Sequence, residues 1–123
     1  NFENYLENNG MGDGIANNDS VLTTNIDTVG SLNVYSKSIS DLTGIEDFTA
    51  LTFLDCGSNF LSSLDVSNNT ALTYLHCGSN QLTSLDVSNN TALWDLYCDD
   101  NNLFCLNVKN GNNTVSRKHN VYC

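Results

Sequence analysis

The sequence predicts an α/β repeat solenoid, a stack of coils with a short parallel sheet on its concave face and a helical cap at its N-terminal end. Three observations predict it. Nearly the same 21-residue segment appears three times in succession, "LTFLDCGSNFLSSLDVSNNTA", "LTYLHCGSNQLTSLDVSNNTA" and "LWDLYCDDNNLFCLNVKNGNN". Their apolar residues follow no helical period of 3.6. A polar residue, Asn, recurs at one fixed place inside the apolar frame.

Numbering each copy from its first Leu, positions 1, 4, 6, 11, 14 and 16 are apolar. The first copy supplies Leu51, Leu54, Cys56, Leu61, Leu64 and Val66, and the second Leu72, Leu75, Cys77, Leu82, Leu85 and Val87. The third supplies Leu93, Leu96, Cys98, Leu103, Leu106 and Val108. Alternation at positions 4 and 6 is that of a short strand, which turns the side chains at 3, 5 and 7 the opposite way. One such coil cannot bury its apolar face alone, but stacked coils can, each strand lying about 4.8 Å from the next in a parallel sheet. Position 9 is Asn59, Asn80 and Asn101. A buried amide there must have its hydrogen bonds met, by the turn of its own coil and that of the next, in a ladder.

The pattern L-x-x-L-x-C-x-x-N-x-L resembles the leucine-rich repeat. The 21-residue form with cysteine and "LDVSNNTA" is similar to repeats of bacterial cell-surface proteins, namely internalin-type proteins and secreted Bacteroidota proteins. An earlier copy, "VGSLNVYSKSISDLTGIEDFTA", is 22 residues long, with Val34 in the cysteine slot and Lys37 in the Asn slot. Its "ISDLTGIEDFT" resembles the internalin-like repeat with a more helical outer segment. The chain thus divides into a cap over 1–28, repeats over 29–50, 51–71, 72–92 and 93–113, and a tail over 114–123. In the cap, "NFENYLENNG" places Phe2, Tyr5 and Leu6 on one helical face and stops at Gly10, which suits a lid over the open end of the first coil.

Cys56, Cys77 and Cys98 fall on adjacent strands, at a spacing longer than a disulfide prefers. They are expected as a row of buried, reduced thiols. Cys105 and Cys123 either close a disulfide that fastens the last coil to the tail, as suits a secreted protein, or stand as two free thiols.

Formal charge is −10, with only Lys37, Lys109, Arg117 and Lys118 on the basic side, so nothing here would neutralise the phosphates of nucleic acid or an anionic membrane. No apolar run approaches the ~18–20 residues of a membrane span. The chain begins at Asn1 rather than Met, which reads as a processed or trimmed product, so the lack of a signal peptide does not bear on compartment. No phosphate loop and no nucleophile–base pair occur, and strand alternation sends His76 and Cys77 to opposite faces. Cys105, His119 and Cys123 match no zinc spacing, and Asp13, Asn17 and Asp19 do not fit an EF-hand loop, so no metal or other cofactor is expected.

What remains is the concave face. Position 3 gives Ser31, Phe53, Tyr74 and Asp95; position 5 gives Asn33, Asp55, His76 and Tyr97; position 7 gives Tyr35, Gly57, Gly78 and Asp99, with Trp94 and Asp100 flanking the last strand. Exposed aromatics gathered on a sheet suit recognition, and the carboxylates favour a basic or polyhydroxylated partner. The expected binding residues are therefore Tyr35, Phe53, Asp55, Tyr74, His76, Trp94, Asp95, Tyr97, Asp99 and Asp100. The resemblance implies a non-catalytic module, secreted or at the cell surface, that binds a protein or glycan. The alternative is a spacer in a larger surface assembly, touching other subunits through its ends. "DSV" at 19–21 and "DTV" at 27–29 resemble the Bacteroidota O-glycosylation signal, which would mark Ser20 and Thr28. Asn18, Asn68, Asn89 and Asn112 head Asn-x-Ser/Thr triplets, but the middle two arise from the repeat itself and a bacterial resemblance gives them no acceptor role.

Overall fold

The structure is a computed structural model that describes residues 1–15, 18 and 20–111. Strands β1 (Ser31–Asn33), β2 (Phe53–Asp55) and β3 (Tyr74–His76) come from successive coils, followed by β4 (Ser84–Asp86), β5 (Asp95–Tyr97) and β6 (Cys105–Asn107). β1, β2, β3 and β5 form one parallel sheet in that order. Register follows the repeat, with Leu32, Leu54, Leu75 and Leu96 side by side and all buried. In each strand the central residue alone points inward, as the two-residue period of a strand requires.

A second parallel pair, β4 with β6, lies on the return side of the coils at positions 13–15. The sequence reading placed a strand only at the concave positions. Here Leu85 and Leu106 turn inward between more exposed neighbours, by the same alternation. Ser63–Asp65 of the 51–71 copy has the same pattern but forms no strand, and the coil before that copy returns differently. Between Leu42 and Leu51 that coil has one residue more, and Gly44 at φ 99° opens a 3₁₀ turn over Ile45–Asp47. Leu64 is the one frame residue of the three 21-residue copies that stays half-buried.

Residues of the repeat frame form one core, with Leu51, Leu54, Leu72, Leu75 and Leu82 wholly buried. Cys56, Cys77 and Cys98 lie within it as free thiols. Burial first, then the Asp55 carboxylate, pushes the Cys56 thiol up to about 12. Burial and then the flanking thiols hold Cys77 well above the ordinary thiol range, and burial with Asp99 takes Cys98 to about 11. These sulfurs are neutral fillers at physiological pH.

The asparagines at position 9 form the expected ladder, but each reaches back to the preceding coil rather than forward. Asn80 donates to the carbonyls of Cys56, Cys77 and Gly78 and accepts from Leu61 N. Asn59 likewise donates to Val34 O and accepts from the N–H groups of Lys37 and Ile39. This direction explains Lys37, since the first coil has no coil before it to bond.

At the N-terminal end, α1 (Phe2–Asn8) is capped by Asn1, whose side chain accepts from Asn4 N at 2.8 Å. It closes at Gly10, φ 72°, where Met11 N returns to Leu6 O at 2.9 Å. Phe2 and Leu6 are buried in the shared core, and the Phe2 ring lies 6.1 Å from that of Phe48. A single further turn, α2 (Thr23–Ile26), buries Ile26 beside them.

Candidate recognition face

Strand alternation turns positions 3 and 5 out of the core into two rows across the concave sheet. In the first row the rings of Phe53 and Tyr74 stack at 4.5 Å and 12°, and Tyr74 continues to Tyr97 at 5.5 Å. The second runs from Tyr35, stacked on His76 at 6.0 Å, to Tyr97, which meets the His76 ring edge-on at 5.8 Å. Offset and edge contacts of this kind are the favoured geometries of aromatic pairs, each worth about 0.5–1.5 kcal/mol beyond burial. Tyr74 is partly desolvated, and burial, then Asp55, raises its hydroxyl above the ordinary tyrosine range.

His76 anchors the middle of the face. Its Nδ1 lies 2.9 Å from Asp55 Oδ1, which also accepts from Gly57 N at 3.1 Å. Tyr5 reaches in from α1 and donates to the open edge of β1 at Asn33 O, 2.8 Å away. With Asn9, Asn33, Tyr35, Lys37 and Asp55 it lines an open depression of about 600 Å³ at the N-terminal end.

Of the residues expected at a site, Tyr35, Phe53, Asp55, Tyr74, His76 and Tyr97 come together here. Asp95 and Asp99 occupy the coil that ends the sheet, both half-buried. Trp94 stands outside the ring rows. It is 64% exposed at position 2, where Thr52 and Thr73 turn their hydroxyls onto the preceding coil, at Gly30 O and Thr52 O. Asp100 lies past the strand in the left-handed region at φ 53°, with Ser79 Oγ 3.4 Å from its carboxylate. Sequence reasoning missed Tyr5 and the part played by Gly57 and Gly78. The signal for the glycines was present: position 7 is Gly only in the two central coils.

Elsewhere, Cys77 points into the core while His76 faces out. Asp13 spends its carboxylate on Ile15 N and the Asn18 amide, while Asn17 and Asp19 lie outside the described residues. Cys105 is disulfide-bonded; Cys123, its expected partner, and His119 also lie outside the described residues. Ser20 and Thr28 are exposed. Among the described residues, no group of three or more His, Cys, Asp or Glu side chains is placed to hold a metal ion.

No family model matches the chain. It is 47% identical over 51 residues, 42% of its length, to internalin J of Listeria monocytogenes serotype 4b. The solved functional domain of internalin J, described as including a cysteine ladder, superposes on 75% of the chain with a TM-score of 0.71 and 48% identity. The chain has an internalin-like leucine-rich repeat fold. A second internalin of Listeria monocytogenes, inlF, covers 85% of it with a TM-score of 0.61 and 25% identity. This internalin-like chain spans only 6% of the curated relative and 20% of the solved internalin J domain. No helix among the described residues is long and apolar enough to cross a membrane.

Proposed function

We propose that this chain is a non-catalytic recognition module, secreted or held at a cell surface, that binds a protein or glycan through its concave face. The observation that carries this is the double row of rings on the outward side of the sheet, rigid and partly exposed where the solenoid core does not need them. Tyrosine presents wide contact area with few rotatable bonds, which makes it a common anchor. The carboxylates of Asp55, Asp95 and Asp99 turn the face toward basic or hydroxyl-rich partners. O-linked glycans at Ser20 and Thr28 belong to the same proposal and would sit on the cap.

The test is a screen of secreted proteins and glycans against the folded chain, followed by substitution. Tyr74→Ala should weaken a captured ligand by about 2 kcal/mol or more, Trp94→Ala by less, and Thr70→Ala on an outer turn not at all. Binding of a basic protein should also fall with salt, and binding of a neutral glycan should not. A tail that breaks the repeat and carries Arg117 and Lys118 supports a second reading, a spacer whose ends make the contacts. Equal and negligible losses for Tyr74→Ala and Thr70→Ala would select it.

A further inference from the structure

Position 7 of the coil is Tyr35, Gly57, Gly78 and Asp99 in turn. None of the four has a left-handed backbone; that conformation falls on the next residue, Ser36, Ser58, Ser79 and Asp100. The solenoid therefore accepts a side chain at position 7, and the two glycines serve something else. A methyl carbon on Gly57 would stand 2.6 Å from His76 Cε1 and 2.9 Å from Nδ1. On Gly78 it would stand 3.0 Å from His76 Nε2 and 3.2 Å from both Oδ1 and the carbonyl oxygen of Asp99. Both glycines are buried beneath the imidazole, which lies in the recess they leave and presents its outer edge to solvent between Tyr35 and Asp99.

The polar atoms turned toward the space over Gly78 are acceptors. Asp55 beside Nδ1 favours the proton on that nitrogen, which leaves Nε2 of the neutral ring with a lone pair. Asp99 adds a carboxylate and a carbonyl, the carbonyl already taken by Ser79 N at 2.9 Å. The Tyr97 ring stands 5.8 Å from the imidazole and offers a π surface beside these acceptors. A ligand that fits must bring donors, gain from negative charge and tolerate an aromatic wall.

We propose that this recess receives an arginine side chain of a protein partner. A guanidinium presents several N–H groups in one plane, enough to meet His76 Nε2 and Asp99 Oδ1 together while its face lies against Tyr97. A lysine ammonium is a point donor with a tighter hydration shell and fits the paired acceptors less well. A metal ion would find only two protein side chains. The proposal rests on recognition through the concave face and specifies the chemistry that the face selects.

The experiment is a titration of the folded chain, at low salt, with a short Gly-Ser peptide carrying arginines and with its citrulline counterpart. The His76 and Tyr97 resonances are followed by NMR. The arginine peptide should shift both, and the uncharged, nearly isosteric citrulline peptide should bind about tenfold more weakly or worse. Gly78→Ala, whose methyl would push His76 Nε2 and Asp99 Oδ1 out of place without changing charge, and Asp99→Asn, which keeps its shape, should each cost about tenfold in affinity. Asp65→Asn on the return side should cost nothing. Equal affinity for the two peptides, or Gly78→Ala and Asp99→Asn both binding like the parent, overturns the proposal. If the arginine peptide leaves His76 undisturbed while a screened partner is still lost in Tyr74→Ala, the recess assignment falls and the recognition reading stands.

Discussion

The two central coils each turn two tight corners, one just after the concave strand and one just before the next, and a buried asparagine stabilises both in different ways. At the first, position 9, the amide works in both directions: Asn80 donates to three carbonyls and accepts from Leu61 N. At the second, position 19, Asn90 donates to Val66 O and Asn69 O, and Asn69 to Ile45 O and Phe48 O. The Oδ1 atoms of Asn69 and Asn90 are buried without a partner. Local backbone demand accounts for the difference. At the second corner the turn satisfies its own N–H groups, with Asn90 N bonding Val87 O and Leu93 N bonding Asn90 O, so only carbonyls are left to serve. At the first, the N–H of the preceding coil points inward and requires an acceptor.

The corners should therefore differ most under truncation. Asn80→Ala removes four hydrogen bonds and leaves Leu61 N buried without an acceptor, while Cys56 O, Cys77 O and Gly78 O keep donors in Asn59, Asn101 and Ser58; it should cost about 3 kcal/mol of stability. Asn90→Ala removes two hydrogen bonds from carbonyls that keep backbone donors, Asn69 N on Val66 O and Leu72 N on Asn69 O, while also removing an oxygen that had no partner, and should cost about 2 kcal/mol at most. Chemical denaturation with the Cys105 disulfide intact measures both. Equal losses would break the asymmetry.

The cysteine row adjoins the first corner and supplies an effect of intermediate size. Burial pushes the Cys56 thiol up to about 12 and the Cys98 thiol to about 11, and holds Cys77 well above the ordinary 9.0. A folded-state pKa raised in this way contributes stability that is complete below the unfolded value and is lost as pH climbs toward the folded one. The denaturation midpoint should hold to about pH 9 and then fall, as the unfolded chain ionises and the folded chain does not. Cys77→Ser should cost about 1–2 kcal/mol at neutral pH, by placing a hydroxyl in an apolar row, and should flatten part of the alkaline decline. Cys56, Cys77 and Cys98 should also resist alkylation until the chain unfolds.

What the sequence disclosed follows the same division. Position 9 was legible because Asn fills it in all three copies, inside an apolar frame that makes its burial unavoidable. Position 19 was not, because Asn69 and Asn90 stand in a run of polar turn residues, and the third copy has Gly111 there, with Asn110 one place earlier serving Asn90 O. The β4–β6 pair escaped notice because its alternation is as short as the strand itself, and α2 because one helical turn has no period. On the concave face, alternation along the strand gave both rows of rings. The glycine floor depends on which side chain the next coil lays over it, and that is a relation between coils rather than a pattern within one.

The smallest effect concerns the backbone at the first corner. Ser58, Ser79 and Asp100 adopt φ of 53° at position 8, and serine does not announce that conformation in a sequence. A side chain in the left-handed region costs roughly 1–2 kcal/mol, which glycine avoids. Glycine also widens the unfolded ensemble by an opposing ~0.5–1 kcal/mol, and Ser79→Gly gives up only a long contact to Asp100, 3.4 Å at an exposed site. The net expectation is a gain of up to about 1 kcal/mol. At the second corner Ser88 has no left-handed backbone, and its N–H is held by Asp86 Oδ1 at 2.8 Å. Ser88→Gly therefore carries the entropic cost with no strain to relieve and should lose roughly 0.5–1 kcal/mol. Opposite signs for two serine-to-glycine changes nine residues apart would show that the corners differ in backbone as well as in hydrogen bonding. The same sign for both would mean that position 8 carries no strain.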